Sequence, residues 1–181
     1  MGADLAVQLV ARTKAFAVAE TLQTGTFVVA ADTIVVGPRG PLGKPGSAER
    51  AREMLHDLRG RRHTVLTGVC AVHAPSEAQA LGLSRSAVKM SVFTDADLES
   101  YIASGEPLDR AGAYAIQGGG GDFVEAVAGR IDTVIGLDVC LALRLLAEVG
   151  FPDPLPKATD VSLAPSRPRR PLTPMRAPSR V

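Results

Sequence analysis

Three short stretches of the chain carry residue types that could do chemistry. Asp32 stands inside Phe27-Val-Val-Ala-Ala-Asp-Thr-Ile-Val-Val36, a run otherwise apolar and rich in β-branched residues. A buried, unpaired carboxylate is costly, so Asp32 needs a partner, a cleft or a cation; accepting backbone hydrogen bonds at a strand end is the alternative. Lys44, set between Gly43 and Pro45, projects from a rigid turn and can act as a point charge toward phosphate, although turn lysines are often merely solvated. The segment Ala111-Gly-Ala-Tyr-Ala-Ile-Gln-Gly-Gly-Gly-Gly121 is the third. Its glycines let backbone N–H groups approach a phosphate or a base, and the Gln117 amide offers both donor and acceptor to a base edge; a flexible loop is the other reading. The pattern matches neither the Walker loop nor the Rossmann fingerprint, which disfavours those folds. Together, a carboxylate, a lysine and a glycine-rich stretch could serve chemistry on a phosphate-bearing ligand, with the alternatives at each still open. Arg61, Arg62 and His63 read as surface, and the cysteines Cys70 and Cys140, each in an apolar run without metal-ligand spacing, read as two buried thiols.

These residues need elements to hold them. The spacing predicts a helix over 4–20 with Leu5, Leu9, Ala15 and Val18 toward one face. A buried strand follows over 27–36, and Gly37-Pro38-Arg39-Gly40-Pro41 breaks it as a hairpin tip. Ser47 caps a helix carrying Ala48, Ala51, Met54, Leu55 and Leu58, which stops near Gly60. Strands are expected at 64–73 and 86–93 with a looser stretch, 74–85, between them. Thr94 and Asp97 form a capping box for a helix holding Leu98, Tyr101 and Ile102 and ended by Gly105. A short strand at 122–127 and a helix at 139–149 complete an α/β or α+β fold with a curved mixed sheet flanked by helices.

The 181 residues, 46% hydrophobic and 22% charged, suffice for one domain over 1–151. Eight of the 13 prolines fall from Pro152 onward, interleaved with Arg167, Arg169, Arg170, Arg176 and Arg180, so 152–181 reads as a disordered tail. A formal net charge of +1 makes no electrostatic case for nucleic acid or an anionic membrane. With no signal peptide and no stretch of roughly 20 apolar residues, the expected place is the cytoplasm.

Taken in order along the chain, several pieces resemble the Maf family of nucleotide pyrophosphatases. They are Ala31-Asp32-Thr33-Ile34-Val35, Gly43-Lys44-Pro45, Leu58-Arg59-Gly60, His63-Thr64-Val65, Tyr101, Gly105-Glu106-Pro107, Ala111-Gly112-Ala113-Tyr114, Ile116-Gln117-Gly118, Phe123-Val124 and Val134-Ile135-Gly136-Leu137. The resemblance covers about residues 5–150 and implies a fold akin to inosine-triphosphate pyrophosphatases. It further implies hydrolysis of nucleoside triphosphates to the monophosphate and pyrophosphate with a divalent metal, Mg²⁺ or Mn²⁺. Asp32 matches the proton acceptor and a possible metal ligand. Thr33 and Gln117 match positions associated with choosing dTTP and UTP over 7-methyl-GTP, and Lys44 and Lys14 match lysines that face substrate. A homodimer is implied by the resemblance alone.

The chain departs from the family pattern at its front. Met1 comes almost directly before the first helix, where family members carry a strand, a Ser-x-Ser-Pro-Arg-Arg-type loop and a later acidic residue. The expectation is an exposed sheet edge and no arginine clamp on the triphosphate. It raises an alternative function, a catalytically impaired nucleotide-binding or cell-division regulatory protein. Arg110 replaces a usual lysine and Asp138 a frequent proline.

Overall fold

A computed structural model describes residues 2–22, 25–74 and 78–152. The expected tail from 153 onward lies outside the described residues. The order is α1 (Ala3–Ala19), β1 (Thr26–Gly37), β2 (Gly40–Leu42), α2 (Ala48–Leu58), β3 (Arg62–Ala74), β4 (Ala78–Met90), α3 (Asp95–Ala103), β5 (Val124–Ala128), α4 (Ile131–Ile135) and α5 (Val139–Glu148). Short 3₁₀ turns at Glu106–Asp109, Ala111–Ala113 and Gly119–Phe123 fill the glycine-rich connection, so it is shaped rather than a plain loop.

The five strands form one sheet in the order β2-β1-β3-β4-β5, flanked by helices as expected. All the described pairings are antiparallel, where a mixed sheet was expected. The connections explain two of the four pairs: two residues join β1 to β2 and three join β3 to β4, too few for the crossover that a parallel pair needs. The stretch 78–85, expected to be loose, belongs to β4. Its Ala, Gly and Ser residues have weak strand preference, and the ladder to β3, from Arg62–Lys89 to His73–Ala78, overrides it.

Register decides what each face of the sheet meets. On one face of β1 and β3 the opposed pairs are Val35–Val65, Thr33–Thr67 and Ala31–Val69. Val35 and Val65 pack under α2 and α3 in the largest apolar cluster, with Met54, Leu55, Leu58, Leu98 and Ile102. Ala31 and Val69 pack under α5, against Leu141, Ala142, Leu145 and Val149. The Thr33–Thr67 pair lies between these two clusters. The opposite face presents Val28, Ala30, Cys70 and Val72 to α1.

Helix α1 is turned differently from the sequence expectation. Its buried stripe is Val7, Ala11, Ala15 and Ala19, whereas Leu5, Leu9 and Val18 are exposed. Close approach is the reason. A Cβ at Gly68 on β3 would sit 2.6 Å from the Val7 carbonyl oxygen, so the backbones nearly touch and only small side chains fit between them. Cys140 is likewise exposed rather than buried, because α5 turns Leu141, Ala142 and Leu145 inward; Cys70 is buried as expected.

Local signals account for the remaining ends. The Ser47 side chain accepts from the Arg50 N–H at the start of α2, and Thr94 and Asp97 cap α3 reciprocally. Strand β2 pairs with β1 only over Val35–Gly37. Among the described residues no strand pairs with the outer edge of β1 over 27–34, so the edge beside Asp32 and Thr33 is open. No helix among the described residues is long and apolar enough to cross a membrane.

Candidate active site

On the face of the sheet that carries Thr33, Val35 and Val65 there is an open cavity of about 500 Å³. Thr33, Val35 and Val65 form its floor on the sheet. Lys44, Glu106, Asp109, Arg110, Tyr114, Gln117 and the Val134-Ile135-Gly136 stretch form its walls. Three residues singled out from sequence, Thr33, Lys44 and Gln117, therefore meet around one space.

Backbone geometry holds the walls together. The Gly112 N–H donates to the Gly43 carbonyl at 3.1 Å, tying the Lys44 turn to the Tyr114 turn. Gly112 has φ +68°, and a Cβ there would press on Val35 at 3.0 Å, so only glycine lets this turn lie on β1. The next residue, Ala113, is fully buried with φ +62°, a left-handed conformation costing a non-glycine residue roughly 1–2 kcal/mol. Such stored strain is a common companion of binding sites.

Glu106 organises the opposite wall. Its carboxylate accepts from the Tyr101 hydroxyl at 2.9 Å and from the Gly119 N–H at 3.1 Å, which fixes the turn carrying Gln117. Burial works against its charge, but these hydrogen bonds outweigh it and hold the carboxyl below its ordinary value. A Cβ at Gly118 would displace the Glu106 carboxylate, and one at Gly120 would lie 2.7 Å from the Ala115 backbone nitrogen, so glycine is a steric requirement in this run. The Gln117 side chain is exposed and hydrogen-bonds no other described residue, leaving its amide available. Lys44 reaches Asp109 at 2.6 Å, and both are largely exposed. Such a pair contributes little, so Lys44 is free to exchange Asp109 for an incoming anion.

Asp32 and Lys14 do not line this cavity. Strand alternation sends Asp32 to the other face of β1, toward α1, where Lys14 Nζ meets Asp32 Oδ1 at 2.6 Å. Lys14 also donates to the Ala31 carbonyl at 3.4 Å. The carboxylate is 27% exposed and the lysine 52%, so the pair is open to solvent at the unpaired edge of β1. Asp32 and Thr33 are neighbours along β1 and alternate between its two faces. The expected groups thus form two clusters, Thr33–Lys44–Gln117 and Asp32–Lys14, joined by one strand.

His63, expected at the surface, is instead 4% exposed beneath the cavity. Its Nε2 pairs with the Tyr114 hydroxyl at 2.8 Å, and burial pushes its pKa down to about 4. Arg61 and Arg62 are exposed as expected. Among the described residues no three His, Cys, Asp or Glu side chains are grouped closely enough to hold a metal alone. The cavity walls place Lys44 and Arg110 beside Glu106 and Asp109, so they offer little net positive charge to a polyphosphate. Asp32, solvent-accessible at the β1 edge, offers a carboxylate oxygen that fits a hard cation arriving with phosphate ligands of its own.

The family model for Maf-like protein matches residues 2–149. The chain belongs to the Maf family. Curated relatives within the Maf family share substantial identity with it. A protein of Anaeromyxobacter dehalogenans strain 2CP-C named dTTP/UTP pyrophosphatase is 48% identical over 150 residues, covering 80% of this chain and 73% of that one. A protein of the same name from Moorella thermoacetica is 44% identical over 144 residues, covering 80% and 74%. Another, from Dehalococcoides mccartyi, is 41% identical over 141 residues, covering 78% and 62%.

Proposed function

We propose that this Maf protein is a nucleoside triphosphate pyrophosphatase acting on dTTP and UTP. The observation that carries the reading is a cavity floored by Thr33 and walled by Lys44 and Gln117, contiguous along one strand with the Asp32–Lys14 pair. The names of the 48% and 44% identical relatives support the substrate class. In this reading the nucleotide lies across the open edge of β1. Its base enters the cavity, where Gln117 and Thr33 meet the base edge, and its triphosphate passes over the edge toward Lys14.

The reaction is hydrolysis at the α-phosphorus. Water forms the new P–O bond, the α–β phosphoanhydride bond breaks, and pyrophosphate leaves. Asp32 takes the proton of the attacking water, a role worth typically 10²–10⁴-fold in rate. Lys14 engages Oδ1, and no other described residue bonds Oδ2, which is left to face the water. Lys44 leaves Asp109 for a phosphate oxygen. A divalent cation, Mg²⁺ or Mn²⁺, held by Asp32 and substrate oxygens, would neutralise charge on the phosphates. The proposed setting is the cytoplasm, the nucleotide is the partner, and a homodimer remains part of the proposal.

A second reading is favoured by one observation, the absence of Asp32 from the cavity wall. In it the chain binds nucleotide with impaired turnover, as a regulatory protein would. Pyrophosphate release from dTTP, UTP, 7-methyl-GTP and dITP, with Mg²⁺ or Mn²⁺, separates the two. Release from dTTP and UTP supports the enzyme. Calorimetric binding of UTP by folded protein without release supports the alternative.

A further inference from the structure

A chain of hydroxyls runs from the half-buried Thr33 on the cavity floor into the protein. Thr33 Oγ1 and Thr67 Oγ1 lie 2.8 Å apart across the β1–β3 pair. Thr67 Oγ1 is also 2.7 Å from the Thr133 carbonyl oxygen. A carbonyl can only accept, so the single hydroxyl hydrogen of Thr67 is committed to it. Thr33 must then be the donor in the Thr33–Thr67 bond. Its own hydrogen is spent inward, and only oxygen lone pairs remain to meet a ligand.

The far end of the chain is anchored so that this direction cannot easily reverse. Thr67 and Thr133 are fully buried. The Ser84 hydroxyl donates to Asp138 Oδ2 at 2.7 Å, so Thr133 Oγ1, 2.6 Å from Ser84 Oγ, is the donor to Ser84. Asp138 in turn accepts from the Leu141 N–H at 3.0 Å and pairs with Arg130 Nε at 3.1 Å. The Ser86 hydroxyl donates to the Arg130 carbonyl at 2.7 Å. Both ends of the 130–138 segment are therefore pinned to β4, and the Thr133 carbonyl cannot drift away from Thr67. The same segment supplies Val134, Ile135 and Gly136 to the cavity wall, and the Gly136 Cβ position is 3.7 Å from Thr33 Oγ1.

We propose that Thr67 is a positioning and specificity-determining residue that locks the Thr33 hydroxyl as a hydrogen-bond acceptor in the cavity. It thereby selects bases whose ring nitrogen carries a hydrogen. Uracil and thymine have such an imide N–H, whereas the corresponding ring nitrogen of cytosine is itself an acceptor. Two acceptors facing one another leave both unpaired in a partly desolvated site, which costs far more than losing one contact to water. The inference rests on the reading of the cavity as the base pocket and adds what sets the polarity of its floor.

The test is calorimetry on the whole chain with Mg²⁺ and the slowly hydrolysed α,β-imido analogues of UTP, CTP and N3-methyl-UTP. The wild type is expected to bind the UTP analogue roughly 10- to 100-fold more tightly than the CTP analogue. It should discriminate against the N3-methyl compound as well. Thr67→Val leaves the Thr33 hydroxyl without its acceptor and free to rotate, so the UTP preference should fall to about threefold or less. Thr67→Ser keeps both hydrogen bonds and should keep the preference.

The ratio is read on one sample, so a smaller folded fraction does not distort it. If Thr33→Val abolishes the preference while Thr67→Val retains it, the relay is overturned and the base-pocket reading stands. If Thr33→Val retains the preference, the base-pocket reading itself fails. Loss of the preference in Thr67→Ser would reduce Thr67 to packing and overturn the relay. Should Thr67→Val not fold, equal wild-type affinity for the UTP and N3-methyl-UTP analogues would still overturn the proposal.

Discussion

Replacing Gly68 by alanine should destabilise the protein, and its sign is unusual enough to test the packing account. Gly68 sits on β3 opposite Asp32, and its φ is not positive. On backbone grounds alone, Gly→Ala at such a site stabilises by about 0.4–1 kcal/mol, because it reduces the freedom of the unfolded chain. The structure opposes this. The new Cβ would lie 2.6 Å from the Val7 oxygen, 2.7 Å from the Val7 carbon and 2.8 Å from the Gln8 nitrogen. All three are backbone atoms of α1, so no side chain can rotate away and the helix must lift. Overpacking of this kind costs about 1–3 kcal/mol, which outweighs the entropic gain and leaves a net loss of about 1–2 kcal/mol. For an ordered region of this size the melting temperature should fall by about 3–8 °C. Because α1 also carries Lys14, turnover of UTP should fall along with stability. Gly43→Ala is the control, since its Cβ meets nothing within 4 Å and its φ is ordinary; its melting temperature should hold or rise slightly. A Gly68→Ala protein that melts at or above the wild-type temperature would refute the close docking of α1 on β3.

Further outcomes follow from the same structure. His63 is held near a pKa of about 4 by burial, against an ordinary value of 6.5, so the unfolded chain binds a proton that the folded chain refuses as pH drops between those values. Stability contributed by the neutral ring is thus complete above pH 6.5 and lost toward pH 4, by about 2 kcal/mol between pH 7 and pH 5. Urea unfolding of His63→Phe should show that much less pH dependence than wild type, and an equal dependence would contradict the assignment. Gly118→Ala forces the Glu106 carboxylate off Tyr101 and Gly119. It should raise KM for UTP about tenfold with a smaller change in kcat, and unchanged kinetics would remove Glu106 from the site. Asp138→Ala takes away the α5 cap, the Ser84 acceptor and one of the two carboxylates on Arg130 (Asp132 stays), and should cost about 2–3 kcal/mol in denaturant unfolding.

Most element boundaries were legible because local chemistry marks them. Ser47, Thr94 and Asp97 cap helices through their own side chains, and Gly60, Gly105 and Gly150 take positive φ just past helix ends. What failed depended on partners distant in sequence. The inward face of α1 follows from Gly68, some 60 residues away, which admits alanines and excludes Leu5 and Leu9. The first half of β4 reads as weak strand until β3 pairs with it. Asp32, Thr33, Lys44 and Gln117 stood out because a carboxylate in an apolar strand and polar groups beside glycines are individually unusual. His63 was misread because two neighbouring arginines are exposed, while the strand turns His63 inward onto Tyr114. Thr67, Ser84, Thr133 and Asp138 carry no signal singly. Their meaning comes from the register, which sets Thr67 between Thr33 and Ser84.

The central claim is that Asp32 drives release of pyrophosphate from a pyrimidine nucleoside triphosphate. It is tested most directly by single-turnover hydrolysis of UTP with Mg²⁺ on the wild type and on Asp32→Asn, each with its UTP affinity measured separately. The account predicts UMP and pyrophosphate from the wild type, and a rate at least about 100-fold lower for Asp32→Asn with affinity changed only a few-fold. Undiminished hydrolysis by Asp32→Asn would contradict it.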